Sequence, residues 1–538
     1  MKKRFLLTIK KIGINGEGIG YYKKKITFVK GALPDEVITC EVEEENEKYI
    51  KAKLISIKEE SKYRVKNIRK EFMESGGYPL AHVTYGKQLE FKQNIVFDAL
   101  NKYLNQKNIE KKVLNILPSP KEYHYRNKNQ FPVAIKNGKV VAGLYKEGTN
   151  DLVDIKDCIA LHEQGNKVIE LCKKYIAKCK VPVSISKKYK GVKYISTRTS
   201  FYNGDIQVVF VANTKNVENL NKVVDLLKKE KSIKSIVLNL TNEKDHLVMG
   251  NENITLYGKD YIIEKIGDIT YKLSANSFFQ LNPLQTKNLY DKVVEYANLS
   301  KDDIVLDAFC GVGSIGQYMS KFCKAVYGMD IVEESIKNAN ENIALNNIKN
   351  CHYEVGDALK ILPRYKKEGI KFDVVVVDPP RAGLGHLTKQ LLTINAKRIV
   401  YVSCNPSTLA KDIKILSKKY KICQIQPVDM FPQTSQVEMV CLLSKLNTQK
   451  HIDLELTMDE LDLTSSEKKA TYQQIKDYIL DKYGFKVSTL YISQIKRKCG
   501  LEVGENYNVS KKENQKIPKC PKEKEGAIMD ALKHFKMI

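Results

Sequence analysis

The chain has 538 residues, 43% of them hydrophobic, enough for about three or four domains with large cores. Lys and Arg number 90 against 63 Asp and Glu, and the resulting net charge of +27 points to a polyanionic partner such as nucleic acid. No apolar run reaches the ~18 residues of a membrane span, and the basic start "MKKRFLLTIKK" has too short an apolar stretch for a signal peptide, so a cytoplasmic protein without a membrane partner is expected.

Residues 1–58 read as a small β barrel: short alternating strands punctuated at Asn15-Gly16, Gly18, Gly31 and Pro34-Asp35. Tyr21, Tyr22, Lys23, Lys24 and Lys25 interleave aromatic rings with cations, which suits an oligonucleotide-binding (OB-like) barrel; any small barrel with a basic rim fits equally well. Residues 59–275 mix a helix, "YGKQLEFKQNIVFDALNKYL", with strands in "QFPVAIKNGKVVAGLY" and "DIQVVFVANT" and a further helix in "VENLNKVVDLLKKE". An α+β central domain is expected there. Residues 276–445 alternate strand and helix, the strands being "DIVLDAF", "AVYGMD", "CHYEVGD", "FDVVVVD" and "RIVYVSC". That alternation predicts a doubly wound, Rossmann-like α/β sheet with ligands at the carboxyl ends of its strands. Residues 446–538 change composition and read as an amphipathic helical extension of unknown role, a plain helical tail being favoured over a helix-turn-helix at "FKVSTLYISQIKRKCG".

The twelve cysteines include no C-x-x-C pair, so reduced thiols are expected rather than disulfides or a zinc site. Cys404 stands where the strand of "IVYVSCNPSTLAKD" stops and an Asn-Pro turn begins. Such a cysteine is either a small buried hydrophobe or a nucleophile at a sheet edge. "VLDAFCGVGSIG" runs from a strand through Gly311, Gly313 and Gly316 into a helix, and Asp330 ends the next strand. This frame fits a nucleoside cofactor, with Asp330 on the ribose hydroxyls, but does not separate NAD from S-adenosylmethionine. Asp357 follows the third strand and is placed to accept from an adenine amino group. Asp378-Pro379-Pro380 ends the fully apolar fourth strand, and Glu438 sits in an otherwise apolar final strand, where a carboxylate is costly unless paired or used. A cysteine, a carboxylate base and a methyl donor around one pocket are what methylation of uracil carbon 5 requires.

Residues from about 274 to 443 resemble the RNA uridine-C5 methyltransferases in "SANSFFQLNP", "DAFCGVGSIG", "DPPRAGL", "YVSCNPSTLAKD" and "DMFPQTSQVE", and the N-terminal barrel resembles the TRAM domain of many members. The resemblance implies Cys404 as nucleophile and Glu438 as the base. It implies Gln280, Phe309, Gly311, Asp330, Asp357 and Asp378 at cofactor and site positions, with S-adenosyl-L-methionine as cofactor. It further implies structured RNA as partner to a monomer, with 23S ribosomal RNA expected because TRAM-bearing members usually act on it. Transfer RNA is the alternative substrate. Cytosine-C5 methylation fits less well, since "DPPRAGL" lacks a second cysteine. Amino methylation of adenine would leave Cys404 idle. An RNA-binding assembly factor without activity would leave Cys404, Asp378 and Glu438 unexplained.

The chain departs from the family at one place. Many relatives hold a four-iron cluster with a C-x5-C-G-G-C stretch and a later cysteine. Arg69, Ser75 and Tyr78 stand where three of those cysteines would be, and only Cys158 remains. No iron–sulfur cluster and no other metal are therefore expected.

Overall fold

The computed structural model describes residues 3–104, 108–146, 148–184, 189–241, 248–446, 472–485, 487–499 and 520–535. The chain divides into two compact units, Met1–Asn447 and Thr448–Ile538.

The first unit opens with a closed five-stranded barrel formed by Arg4–Ile12, Gly18–Tyr22, Lys25–Val29, Val37–Glu45 and Tyr49–Glu59. Alternation along Arg4–Ile12 sends Phe5, Leu7 and Ile9 inward, where they meet Val29, Ile38, Cys40 and Ile50. Tyr21 stays exposed on the outside, and Lys3 and Lys23 lie over the ring of Tyr22. The barrel is riveted to the chain that follows by a buried ion pair. Arg64 grips Glu36 through Nε at 2.6 Å and Nη2 at 2.8 Å, a two-pronged geometry that offsets the desolvation of both charges.

A seven-stranded sheet follows, ordered Glu252–Gly258, Ile233–Leu240, Ile206–Ala212, Val192–Thr199, Phe131–Lys136, Lys139–Tyr145 and Leu152–Asp154. A second seven-stranded sheet lies beyond it, in the order Cys351–Val355, Ala325–Asp330, Ile304–Ala308, Val374–Val377, Arg398–Ser403, Glu438–Lys445 and Tyr420–Val428. Its first five strands are parallel and its sixth is antiparallel to its neighbours. Val374–Val377 is buried throughout, as a central strand covered on both faces must be. This is the expected doubly wound, Rossmann-like α/β sheet.

The apolar cores cut across the limits read from sequence. Val96 and Leu100 of helix Tyr85–Leu104 share a core with Leu409, Ala410 and Ile413 of helix Pro406–Leu416. Tyr271 and Leu273, from hairpin Tyr261–Ser274, pack in the core on the other face of the catalytic sheet.

In the second unit, helices Tyr472–Tyr483, Thr489–Lys498 and Lys522–His534 share a core of Ile475, Ile479, Ile492, Ile495, Ile528 and Leu532. A plain tail would have no such core; the apolar stripes of the three helices are what bury one another. Ser488 caps the middle helix, its Oγ accepting from the Tyr491 N–H. The helical reading of residues 447–471 lies outside the described residues. Among the described residues no helix is long and apolar enough to cross a membrane.

Candidate active site

The sheet brings the chemistry-bearing residues to one edge. Asp330 ends its parallel strand, while Phe309, Asp378 and Cys404 follow directly on theirs. Glu438 begins an antiparallel strand, so its amino end meets the carboxyl ends of the others. Pairing of Ser403 with Met439 puts Cys404, the next residue, beside Glu438 across the ladder. Glu438 is thus the first residue of its strand rather than an interior one, because the chain reverses through residues 429–437 immediately before it.

The loop after Ile304–Ala308 coils tightly. Phe309, Gly311 and Gly313 have φ of 64°, 54° and 72°. A phenylalanine there is strained, which fits a loop shaped for a ligand. Cys310 N–H donates to the Met329 carbonyl at 3.1 Å and Gly311 N–H to Asp330 Oδ2 at 3.0 Å, tying the loop to the strand beside it. A Cβ on Gly311 would meet nothing within 4 Å, so the backbone there borders open space. Gly316 is tight instead: a Cβ would stand 2.7 Å from Asp307 Oδ2, which accepts the Gly316 N–H at 2.9 Å. Asp307 Oδ1 is buried without a partner. Burial first, then the charges of Asp378 and Asp330, push its carboxyl up to about 7. Ile331, 74% exposed, and Val332 follow Asp330 and offer apolar surface beside its carboxylate. An open backbone cradle, a carboxylate at the strand end and adjoining apolar side chains fit S-adenosylmethionine. Asp357 follows the carboxyl end of the adjoining strand Cys351–Val355, whose Val355 pairs with Asp330, and its Oδ1 accepts from Leu359 N–H at 2.9 Å to cap helix Ala358–Lys367.

The opposite side of the site is held as firmly. Ser403 Oγ accepts from Asn405 N–H at 3.2 Å, and Asn405 Nδ2 donates to the Arg381 carbonyl at 3.1 Å. Cys404 lies between these ties and is half-buried. Burial, then the charge of Glu438, push its thiol up to about 11, while Arg381 pulls it down. Glu438 is buried; its carboxyl is pushed up to about 8 by burial and then by Asp378, again against Arg381. Burial alone takes Asp378 up to about 7, and Gln280 Nε2 stands 3.5 Å from its Oδ2. Gln280 is in turn fixed by Asn127, which donates to its carbonyl at 3.3 Å.

Gln280, Asp378, Cys404 and Glu438 therefore converge, and Gly311 and Asp330 are joined next to them. Three residues escaped the sequence reading. Arg381 is the cation that faces both Cys404 and Glu438, and its position directly after Asp378-Pro379-Pro380 was the available signal. Asp307 lies in the strand of "DIVLDAF", where nothing local marks its burial. Phe278, two residues before Gln280, is 64% exposed, and nothing in an apolar "SFF" marks it as exposed.

The stretch aligned with cluster ligands has a different occupant. Tyr78 hydroxyl lies 2.7 Å from Cys158 Sγ, both buried. Phe72 packs edge-on to Tyr78 at 5.3 Å between ring centres. Arg69 lies over Phe72 at 4.2 Å and donates to the Asp157 carbonyl. One thiol with a phenol, a hydroxyl and a guanidinium does not fit an iron–sulfur cluster. Among the described residues no group of three or more His, Cys, Asp or Glu is arranged to hold a metal ion.

Comparison with known proteins gives the family. Residues 84–446 match the family described as tRNA (uracil-5-)-methyltransferase, and residues 3–55 match the TRAM domain. The chain is 39% identical over 442 residues to an uncharacterized RNA methyltransferase of Bacillus cereus, covering 82% of this chain and 96% of that one. It is 41% identical over 445 residues to another from Listeria monocytogenes, covering 82% and 97%. The crystal structure of Pyrococcus abyssi tRNA (uracil-54, C5)-methyltransferase in complex with S-adenosyl-L-homocysteine is similar with a TM-score of 0.64 at 30% identity, over 82% of this chain and 100% of that one. The chain belongs to the tRNA (uracil-5-)-methyltransferase family and is an S-adenosylmethionine-dependent RNA methyltransferase with a TRAM domain.

Proposed function

We propose that this protein forms 5-methyluridine in RNA, with 23S ribosomal RNA as substrate, using Cys404 as nucleophile and Glu438 as base. The observation that carries the reading is the placement of Cys404 beside Glu438 at the sheet edge, next to Asp378 and the Gly311–Asp330 cradle. The Cys404 thiolate adds to carbon 6 of uracil, and the ring electrons move to carbon 5, which becomes nucleophilic. Phe309, Gly311 and Asp330 would hold S-adenosylmethionine, which when bound would supply the methyl group to carbon 5, the sulfur keeping the electron pair of the broken bond as S-adenosylhomocysteine. Glu438 then removes the remaining proton from carbon 5; that electron pair restores the ring double bond, the carbon 6–sulfur bond breaks and its pair returns to Cys404. Glu438 takes the carbon 5 proton as a carboxylate, and that proton then passes to solvent. Gln280 and Asp378, which stand 3.5 Å apart, hold polar atoms of the uracil ring. The target carbon is closed off inside a helix, so the uridine enters unpaired or flipped.

The TRAM barrel supports ribosomal RNA as substrate. The similarity to a tRNA (uracil-54, C5)-methyltransferase supports a second reading, methylation of transfer RNA. Mass-spectrometric mapping of 5-methyluridine in both RNAs, from cells with and without this protein, decides. A site lost only from 23S RNA supports the first reading, one lost only from transfer RNA the second, and no loss in either contradicts both.

A further inference from the structure

Residues 429–437 join Tyr420–Val428 to Glu438–Lys445, and Val428 pairs directly with Glu438. Whatever fixes this loop therefore fixes where Glu438 begins. Its backbone is held by residues far away in the chain. Asp429 N–H donates to the Leu117 carbonyl at 2.9 Å. Asn282 Nδ2 donates to the Met430 carbonyl at 3.0 Å, and Tyr125 hydroxyl to the Pro432 carbonyl at 2.9 Å. Gln433, at φ 71°, gives its N–H to Gln88 Oε1 at 2.8 Å.

Lys92 is the charged member of this set. Its side chain and that of Asp429 are both completely buried. Lys92 Nζ reaches Asp429 Oδ1 and, at 2.9 Å, the carbonyl of Phe431. One ammonium thus ties both ends of a three-residue turn that starts next to the cross-strand partner of Glu438. A buried charge pair is a poor device for stability alone, since apolar replacements often do as well. It is a good device for fixing geometry. Lys92 lies on helix Tyr85–Leu104, whose later turns pack on helix Pro406–Leu416. That helix starts two residues after Cys404. One rigid rod therefore touches the element after Cys404 and the loop before Glu438.

We infer that Lys92 is a positioning residue that sets Glu438 against Cys404 and so governs removal of the carbon 5 proton. The inference rests on the reading of Glu438 as the base. Cys404 has its own ties through Ser403, Asn405 and Arg381, so loss of Lys92 leaves addition and methyl transfer in place. The step that fails is the one in which the carbon 5 pair closes the double bond and the sulfur leaves. The product is then a methylated RNA still bonded to the enzyme.

The test is single-turnover kinetics on the full chain with Lys92→Met. Methyl incorporation into RNA is expected within about threefold of the wild-type rate, while decay of the methylated protein–RNA adduct slows at least about tenfold, the scale of a small misplacement of a reacting group. Equal slowing of both steps, or of neither, overturns the inference. Because Lys92→Met leaves a buried unpaired carboxylate, Lys92→Met/Asp429→Asn is measured beside it and carries the same expectation. Failure of both variants to fold assigns the pair to stability and overturns the inference too. A Glu438→Gln control separates the two readings. If it forms no adduct, the role of Glu438 is wrong. If it forms one and the Lys92 variants do not, only the role of Lys92 is wrong.

Discussion

The Glu438 carboxylate opposes ionisation of the Cys404 thiol, and Arg381 favours it. The reactivity of the thiol is thus set by charged neighbours of both signs, Glu438 and Asp378 against Arg381, on top of its burial. Replacing Glu438 by Gln removes a negative charge and should lower the Cys404 pKa from its value of about 11. Arg381→Ala should raise it. Alkylation of Cys404 in the free protein, followed against pH, reads both shifts. A midpoint unmoved by Glu438→Gln would show that the two groups do not interact.

The same buried carboxyl makes the free protein pH-sensitive. Glu438 titrates at about 8 when folded, against an ordinary value of 4.5. Between those values the folded state keeps a proton that the unfolded chain has lost, so its contribution to stability falls as pH rises through the window. Glu438→Gln stays neutral throughout. Its melting temperature should exceed that of the wild type by more at about pH 8 than at about pH 5. Equal differences at both pH values would contradict the burial of this charge.

Cys404→Ala should lower methylation by more than about a thousandfold while leaving cofactor affinity near wild type, because the thiol acts only in the chemistry. RNA carrying 5-fluorouridine at the target should form a denaturation-resistant adduct with the wild-type protein, since the fluorine does not leave as a proton does. Recovery of the labelled nucleotide on a peptide other than the one containing Cys404 would assign the nucleophile elsewhere.

Tyr21, Lys23 and Lys24 test the barrel without breaking its Glu36–Arg64 rivet, which deletion of residues 1–58 would do. Their combined replacement by Ala should weaken RNA binding but not cofactor binding. It should also flatten the salt dependence, by about 0.7 to 0.9 in slope for each lysine that touches a phosphate. An unchanged slope would remove this face from the RNA contact.

Tyr78 and Cys158 form a packed pair, so Cys158→Ala should cost only about 1–2 kcal/mol of stability. Anaerobic purification followed by iron and sulfide analysis should return neither in stoichiometric amount. Equimolar iron and sulfide, lost with Cys158→Ala, would restore a cluster to this site.

The catalytic sheet and its site were legible because each site residue interrupts a strong local pattern. Cys404, Asp378 and Glu438 are polar or reactive residues at the limits of apolar strands. The lysine–aspartate tie was not legible, because Lys92 and Asp429 are 337 residues apart and each looks locally like an ordinary surface charge. The central boundaries were misleading for the same reason. Helix Tyr85–Leu104 has the periodicity of any amphipathic helix, and only the fold reveals that its apolar stripe belongs to the core of the catalytic sheet. The glycine loop identified a nucleoside cofactor, but the strained φ of Phe309 depends on the loop's closure and has no local sequence signal.

The antiparallel strand Glu438–Lys445 fills the gap between Arg398–Ser403 and Tyr420–Val428, and it is the last strand of the first unit to be synthesised. Until it emerges from the ribosome, the strand that presents Cys404 has no partner on that side. A nascent chain therefore completes the sheet edge that carries both Cys404 and Glu438 in a single event. A message cut short before Glu438 yields a chain whose sheet lacks the strand between Arg398–Ser403 and Tyr420–Val428.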